Sequence, residues 1–130
     1  MGFAIAATCR ACGSNFMVDK GGGTAFHLLR CDKWGKTREI SFVAMGETYL
    51  RFIKGLDEPF YEATAEDEGY IRERYAGTPL KAHDYFLEVE RTAGACSCGG
   101  EFTLTAPPRC PRCHATEIRL DPEGLQIAYD

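Results

Sequence analysis

The sequence Cys96-Ser97-Cys98-Gly99-Gly100 is followed by Cys110-Pro111-Arg112-Cys113, with eleven residues between Cys98 and Cys110. Two short turns that each offer two thiolates can place four sulfur atoms around one tetrahedral metal ion. The glycines allow backbone amides to turn toward the sulfur atoms, and such contacts relieve the charge on thiolates. We therefore expect this stretch to form a small β module built on one metal ion, with four ligands: Cys96, Cys98, Cys110 and Cys113.

A related pattern lies near the start of the chain. Cys9-Arg10-Ala11-Cys12-Gly13 is followed by Cys31-Asp32-Lys33-Trp34-Gly35, with eighteen residues between Cys12 and Cys31. A cysteine at position 34 would complete the C-x₂-C…C-x₂-C pattern of many zinc sites. The indole of Trp34 cannot be a ligand, because its nitrogen is a donor only. The pattern predicts a second metal site with three thiolates, from Cys9, Cys12 and Cys31.

The sequence does not identify the fourth ligand of this second site. His27 is a candidate, although four residues of strand would separate it from Cys31 by about 13 Å. Asp32 adjoins Cys31 and could donate an oxygen. Water is a further possibility, as in zinc sites with an open position, and so is an empty site with Trp34 packed over three reduced thiols.

The alternative to metal binding is a set of disulfide bonds. Seven cysteines are an odd number, whereas disulfide frameworks favour even counts. Residues 1–8 contain neither a basic leader nor a long apolar run, and no stretch has the length of a membrane span. We expect a cytoplasmic protein away from membranes, with thiols that are reduced or bound to metal.

The remaining patterns predict an α+β fold in three segments. Short strands are expected at residues 3–8, 15–18, 25–30 and 37–42, and β structure again around Phe102, Ile118 and residues 125–129. Between them, the sequence predicts about three helices, at residues 44–54, 65–76 and 78–93. Thr64-Ala65-Glu66-Asp67 is typical of a capping box, and Tyr70 is expected in the core. The predicted segments are a module at 1–42, a helical middle at 43–94 and a module at 95–130.

The four cysteine motifs quoted above resemble those of the zinc-ribbon, or rubredoxin-like, superfamily. The whole chain is similar to small bacterial proteins of unknown function in which two such ribbons flank a helical segment. This resemblance implies structural zinc at both ends, and Trp34 is a departure from it. Zinc ribbons serve many cellular machines, so the resemblance does not select a function.

Charge and aromatic content suggest several functions. The formal net charge is −4, with +4 in residues 1–56, −7 in residues 57–90 and −1 in the remainder. The first hypothesis is a zinc-stabilised adaptor or regulatory protein that docks on a protein partner. The second is single-stranded nucleic-acid binding by the basic and aromatic N-terminal module. Its expected contacts are Arg10, Lys33, Trp34 and Lys36.

Two further hypotheses concern the chemistry of a bound metal. Iron in place of zinc at the four-sulfur site would allow electron transfer, since thiolates suit both metals. However, the C-x-C arm departs from the rubredoxin pattern. An open zinc position could activate water, but no motif supplies a general base, so we do not expect an enzyme.

Overall fold

The computed structural model describes residues 2–23, 25–60 and 64–129. Within these residues it contains seven strands and four helices. The strands are β1 (Gly2–Cys9), β2 (Asn15–Lys20), β3 (Phe26–Cys31), β4 (Thr37–Ser41), β5 (Phe102–Thr103), β6 (Ile118–Leu120) and β7 (Gln126–Tyr129). The helices are α1 (Phe42–Met45), α2 (Glu47–Lys54), α3 (Ala65–Arg74) and α4 (Ala82–Ala93). The predicted α+β class is confirmed.

The first sheet is organised around β1. Strand β2 pairs antiparallel with one edge of β1, while β6 and β7 share the other edge. The registers align Cys9 with Ile118 and Ile5 with Gln126. Two ends of the chain that are more than a hundred residues apart therefore meet in one sheet.

The second sheet has the order β4-β3-β5, and all of its pairs are antiparallel. Its register aligns Cys31 with Phe102, so β3 from the first predicted module pairs with β5 from the last. Each sheet thus combines strands from both ends of the chain, instead of one sheet for each predicted module. The reason is that antiparallel pairing depends on tertiary contacts, which local spacing does not specify.

The hydrophobic core lies between the second sheet and the helices. Phe52 of α2 stacks on Tyr85 of α4, with ring centroids 4.1 Å apart, and both side chains are buried. Leu29 and Ile40 from the sheet join the same cluster, as does Val89 from α4. This burial of apolar surface holds the helical layer against the sheet from which two of the cysteine turns emerge.

The helices differ from the sequence prediction in three respects. The expected helix at 44–54 is divided at Gly46, where φ is 56°. The last helix begins at Ala82 rather than at residue 78, because Lys81 is extended. The expected capping box at Thr64 is wrong, since the Thr64 hydroxyl donates to Glu68 Oε2 at 2.6 Å instead of capping the helix.

The core side of α3 also differs from the prediction. Tyr70 is 62% exposed, whereas Glu68 is buried on this helix. The Glu68 carboxylate is held by the Thr64 hydroxyl and by the backbone N–H of Phe60, which donates to Oε1 at 2.5 Å. A buried carboxylate with hydrogen-bond partners replaces the expected tyrosine, because polar groups can be buried when they are paired.

Candidate metal centres

One group of four cysteines brings together the two ends of the chain. Cys9 Sγ lies 3.6 Å from Cys113 Sγ, and Cys12 Sγ lies 3.6 Å from Cys110 Sγ. All four sulfur atoms lie within 4.8 Å of one another. These distances are far longer than a disulfide bond of about 2.05 Å. They are close to the separation of about 3.8 Å expected between two thiolates on a tetrahedral ion with metal–sulfur bonds of about 2.3 Å. We call this group the first centre.

A second group contains three cysteines, which we call the second centre. Its members are Cys31, Cys96 and Cys98, and their sulfur atoms also lie within 4.8 Å of one another. Cys31 Sγ and Cys98 Sγ are 3.3 Å apart. Cys31 and Cys96 are buried, while Cys98 is half-buried. This arrangement can also hold a metal ion.

The cysteines lie on four turns with nearly the same backbone hydrogen bonds. In turns 9–13, 31–35 and 110–114, the N–H of the fifth residue donates to the C=O of the first cysteine at 2.8–3.0 Å. The shorter C-x-C turn at 96–100 makes the matching bond from Gly99 to Cys96 at 3.0 Å. Each turn closes with a residue at positive φ, and these residues are Gly13, Gly35, Gly99 and His114. The turns are therefore four versions of one local structure, paired two by two.

The predicted grouping of ligands is wrong. Cys96 and Cys98 do not share a cluster with Cys110 and Cys113, and Cys31 does not join Cys9 and Cys12. Sheet pairing is the cause. The N–H of Arg10 donates to the C=O of Glu117 at 2.7 Å, which places the first turn beside the last. The N–H of Asp32 donates to the C=O of Glu101 at 3.0 Å, which places the second turn beside the third.

The two residues considered as a fourth ligand have other partners. His27 is buried in the aromatic core, and its Nε2 lies 2.6 Å from the hydroxyl of Tyr85. Burial also lowers the pKa of His27 to about 4. Asp32 is exposed, and its Oδ1 accepts the backbone N–H of Glu101 at 2.9 Å. Neither residue belongs to either cysteine group among the described residues.

The thiols differ in how readily they ionise. The Ser14 hydroxyl, 3.1 Å from the sulfur, lowers the pKa of Cys12 to about 6. Burial raises the pKa of Cys31, but the amides of Trp34 and Lys33 outweigh it and bring the pKa to about 7. The Ala115 amide lowers the pKa of Cys113, yet burial and the adjacent thiols raise it to about 12. Thiols this close together cannot all ionise without a cation, because their negative charges repel one another. A bound cation stabilises every thiolate in the group.

Trp34 connects a turn of the second centre to a turn of the first, although it is not a ligand. Its ring stacks on His114, with centroids 5.1 Å apart and an angle of 8° between the planes. The Lys36 ammonium lies 5.3 Å from the centre of the Trp34 ring. Trp34 is 43% exposed, so part of this residue is accessible to a ligand.

A cleft of about 530 Å³ opens beside this stack, and we call it the stacking cleft. Its wall contains three cationic side chains, three aromatic rings and a single carboxylate: Arg30, Lys36, Arg109, Phe16, Trp34, His114 and Asp19. Arg109 Nε and His114 Nδ1 are buried without a hydrogen-bond partner among the described residues. Of the four nucleic-acid contacts expected from sequence, Trp34 and Lys36 line the cleft.

The other two expected contacts lie elsewhere. Arg10 and Lys33 are exposed on their cysteine turns and are not part of the cleft wall. Sequence reasoning missed Arg109 and His114 as members of this surface. The available signal was that both residues flank the Cys-Pro-x-Cys turn, at positions next to its two cysteines.

The fold and the site define an α+β protein with two cysteine clusters that can hold metal ions. The family described as Domain of unknown function (DUF8255) matches residues 5–119, and the chain belongs to this family. No curated protein and no solved structure matches the chain. Within the described residues, no helix is both long and apolar enough to span a membrane.

Proposed function

We propose that this chain is a zinc protein whose two metal centres have a structural role. The observation that carries this proposal is the first centre, in which four sulfur atoms from both ends of the chain meet at tetrahedral spacing. Sulfur-only donor sets suit zinc, and the first centre has the four protein ligands that are typical of structural zinc sites. Iron accepts the same ligands, so the metal itself has to be measured.

The position of each centre supports a structural role for the metal. Cys9 and Cys113 are 104 residues apart in sequence, and their contact closes the first sheet. Closing so long a loop costs conformational entropy, and metal binding offsets that cost. A chain without metal is expected to lose the pairing of β1 with β6 and of β3 with β5, since each pairing lies beside one centre.

Elemental analysis with native mass spectrometry of the freshly purified chain tests this proposal. We expect two zinc ions per chain and a loss of structure by circular dichroism when a chelator removes them at neutral pH. A chelated chain that keeps its spectrum would contradict the structural role. A coloured protein with bound iron would instead favour electron transfer.

A second candidate function is single-stranded nucleic-acid binding in the stacking cleft. The specific observation in its favour is the exposed Trp34 ring flanked by Lys36, with Arg30 and Arg109 in the same wall. Aromatic rings stack on bases, and cations track the phosphate backbone of single strands. This surface is basic although the whole chain has a formal net charge of −4.

The stacking cleft favours a nucleic acid as the ligand over a protein partner. The adaptor hypothesis, with its protein partner, stays a prediction. Trp34 is the only tryptophan, so its emission reports directly on the cleft. We expect a short single-stranded oligonucleotide to quench this emission at low salt, and added salt to reverse the effect. Unchanged emission at low salt, together with a protein captured reproducibly by the immobilised chain, would favour the adaptor.

A further inference from the structure

The second centre supplies three thiols where the first supplies four. Turn 31–35 has the same backbone bonds as turn 9–13: Gly35 donates to the C=O of Cys31 at 3.0 Å, and Gly13 donates to that of Cys9 at 2.9 Å. Residue 34 therefore occupies the position that Cys12 occupies in the first centre. Its indole stacks on His114 and leaves the corresponding ligand position without a protein donor.

No other described side chain takes that position. Within residues 2–23, 25–60 and 64–129, no histidine or carboxylate atom joins the three sulfur atoms within 4.8 Å. The His27 ring is bound to Tyr85, and Asp32 Oδ1 is bound to the Glu101 amide. Tetrahedral zinc with three protein ligands keeps its fourth position for water or another external group.

The second centre lies near the solvent, and the side chains beside it carry charges of both signs. Cys98 is half-buried, and the adjoining Gly99 is exposed. A Cβ atom built on Gly99 would lie 3.8 Å from the ammonium nitrogen of Lys33. Lys33 and Trp34 are exposed as well, so a small molecule can approach from this side. A Cβ atom built on Gly100 would lie 2.7 Å from Asp32 Oδ1 and 2.8 Å from Cys31 Sγ, so a carboxylate adjoins the centre as well. The choice of ligand therefore rests on the donor set, because zinc bound by cysteine thiolates accepts a fourth thiolate, as in sites with four cysteines.

We propose that the metal ion at Cys31, Cys96 and Cys98 binds an external thiolate at its fourth position. This inference rests on the zinc proposal above. A small thiol coordinates through sulfur, its proton passes to the solvent, and the bound water leaves. No electrons are exchanged. The product has four sulfur ligands, as in the first centre.

Cobalt substitution of the full chain tests this inference, because absorption from thiolate-to-cobalt charge transfer scales with the number of cobalt–sulfur bonds. The probe is 2-mercaptoethanol, added to the wild type and to Trp34→Cys. In the wild type, seven bonds become eight, so the absorbance is expected to rise by about one-seventh. Trp34→Cys supplies the eighth sulfur from the chain and is expected not to respond.

A second readout does not depend on the variant. In the cadmium-113 NMR spectrum of the wild type, we expect added thiol to shift the resonance of the second centre and not that of the first. Two bound ions without either response would overturn the open thiolate position and leave the zinc proposal intact. Binding of fewer than two ions would contradict the zinc proposal itself.

Discussion

The Trp34 indole lies nearly parallel to the His114 imidazole, with ring centroids 5.1 Å apart. Trp34 belongs to a turn of the second centre, and His114 directly follows the last cysteine of the first. The stack thus joins the two metal centres on the surface of the molecule. It also forms one wall of the stacking cleft, so it connects the fold with the proposed binding surface.

The pairing of cysteine turns predicts which substitutions remove the same metal ion. Cys110→Ser and Cys96→Ser are each expected to lose one ion, and the double variant is expected to lose both, because the two residues lie in different centres. If the two residues shared one ion, the double variant would lose no more than either single variant. Metal content by native mass spectrometry distinguishes these outcomes.

Hydrogen exchange should show which strands lose protection when each metal ion is lost. Cys110→Ser is expected to reduce protection in β1 and β6, whereas Cys96→Ser is expected to reduce it in β3 and β5, since each centre adjoins one of these strand pairs. Ser97→Ala, on the same turn as Cys96 but outside both centres, is the matched control. Equal loss of protection in both sheets for both cysteine variants would contradict the assignment.

The sequence predicted that cysteine turns form metal sites, but it did not predict which turns come together in each site. Cysteine spacing, with a glycine that closes three of the four turns, predicted the local turns, and all seven cysteines fall in the two groups. Spacing could not predict that Cys9 would meet Cys113, because that contact depends on the pairing of β1 with β6. The same limitation applies to Arg109 and His114, which reach Trp34 only through tertiary structure.

Side-chain burial within helices was also predictable only in part. On α4, the apolar residues Tyr85 and Val89 are four positions apart, which is the spacing of one helix face, and both lie in the core. On α3, hydrophobicity alone favoured Tyr70, but the buried position is filled by Glu68, whose carboxylate accepts two hydrogen bonds from nearby groups. A pattern of apolar residues does not reveal such a paired polar group.

Charge in the stacking cleft predicts the salt dependence of nucleic-acid binding. Lys36→Ala removes one cation from the cleft wall, so the slope of log affinity against log salt should become shallower by about 0.7. Arg91→Ala is the control, because Arg91 is an exposed residue of α4 that pairs with Glu88 and lies outside the cleft. Titrations of Trp34 emission at several salt concentrations measure both slopes. An unchanged slope for Lys36→Ala would place the phosphate contacts elsewhere.

His114 is the one residue other than glycine with positive φ among the described residues, at 64°. His114→Ala loses the stack on Trp34 and keeps a backbone conformation that is unfavourable for alanine. His114→Gly loses the same stack but adopts this conformation freely. We expect His114→Gly to be more stable than His114→Ala by about 1 kcal/mol. Urea unfolding in excess zinc measures the difference, and equal midpoints for the two variants would contradict it.

The buried His27 predicts a pH dependence of stability. Burial lowers its pKa to about 4 in the folded chain, compared with an ordinary value of about 6.5. Between these values, the unfolded chain binds a proton that the folded chain does not. The contribution of His27 to the free energy of unfolding is therefore greatest above pH 6.5 and decreases by about 3 kcal/mol as the pH is lowered to 4.

His27→Gln isolates this contribution, since glutamine does not titrate and can still bond to the Tyr85 hydroxyl, which lies 2.6 Å from His27 Nε2. Acid also protonates the cysteine ligands and carboxylates, but this effect is common to both proteins. The variant is expected to lose less stability than the wild type between pH 6.5 and 4, by about 3 kcal/mol. Urea unfolding across this range measures the two slopes. Parallel slopes would mean that His27 is protonated in the folded chain. We infer a neutral imidazole from the aromatic rings around it, Phe42, Phe60 and Phe86, and this inference would then be wrong.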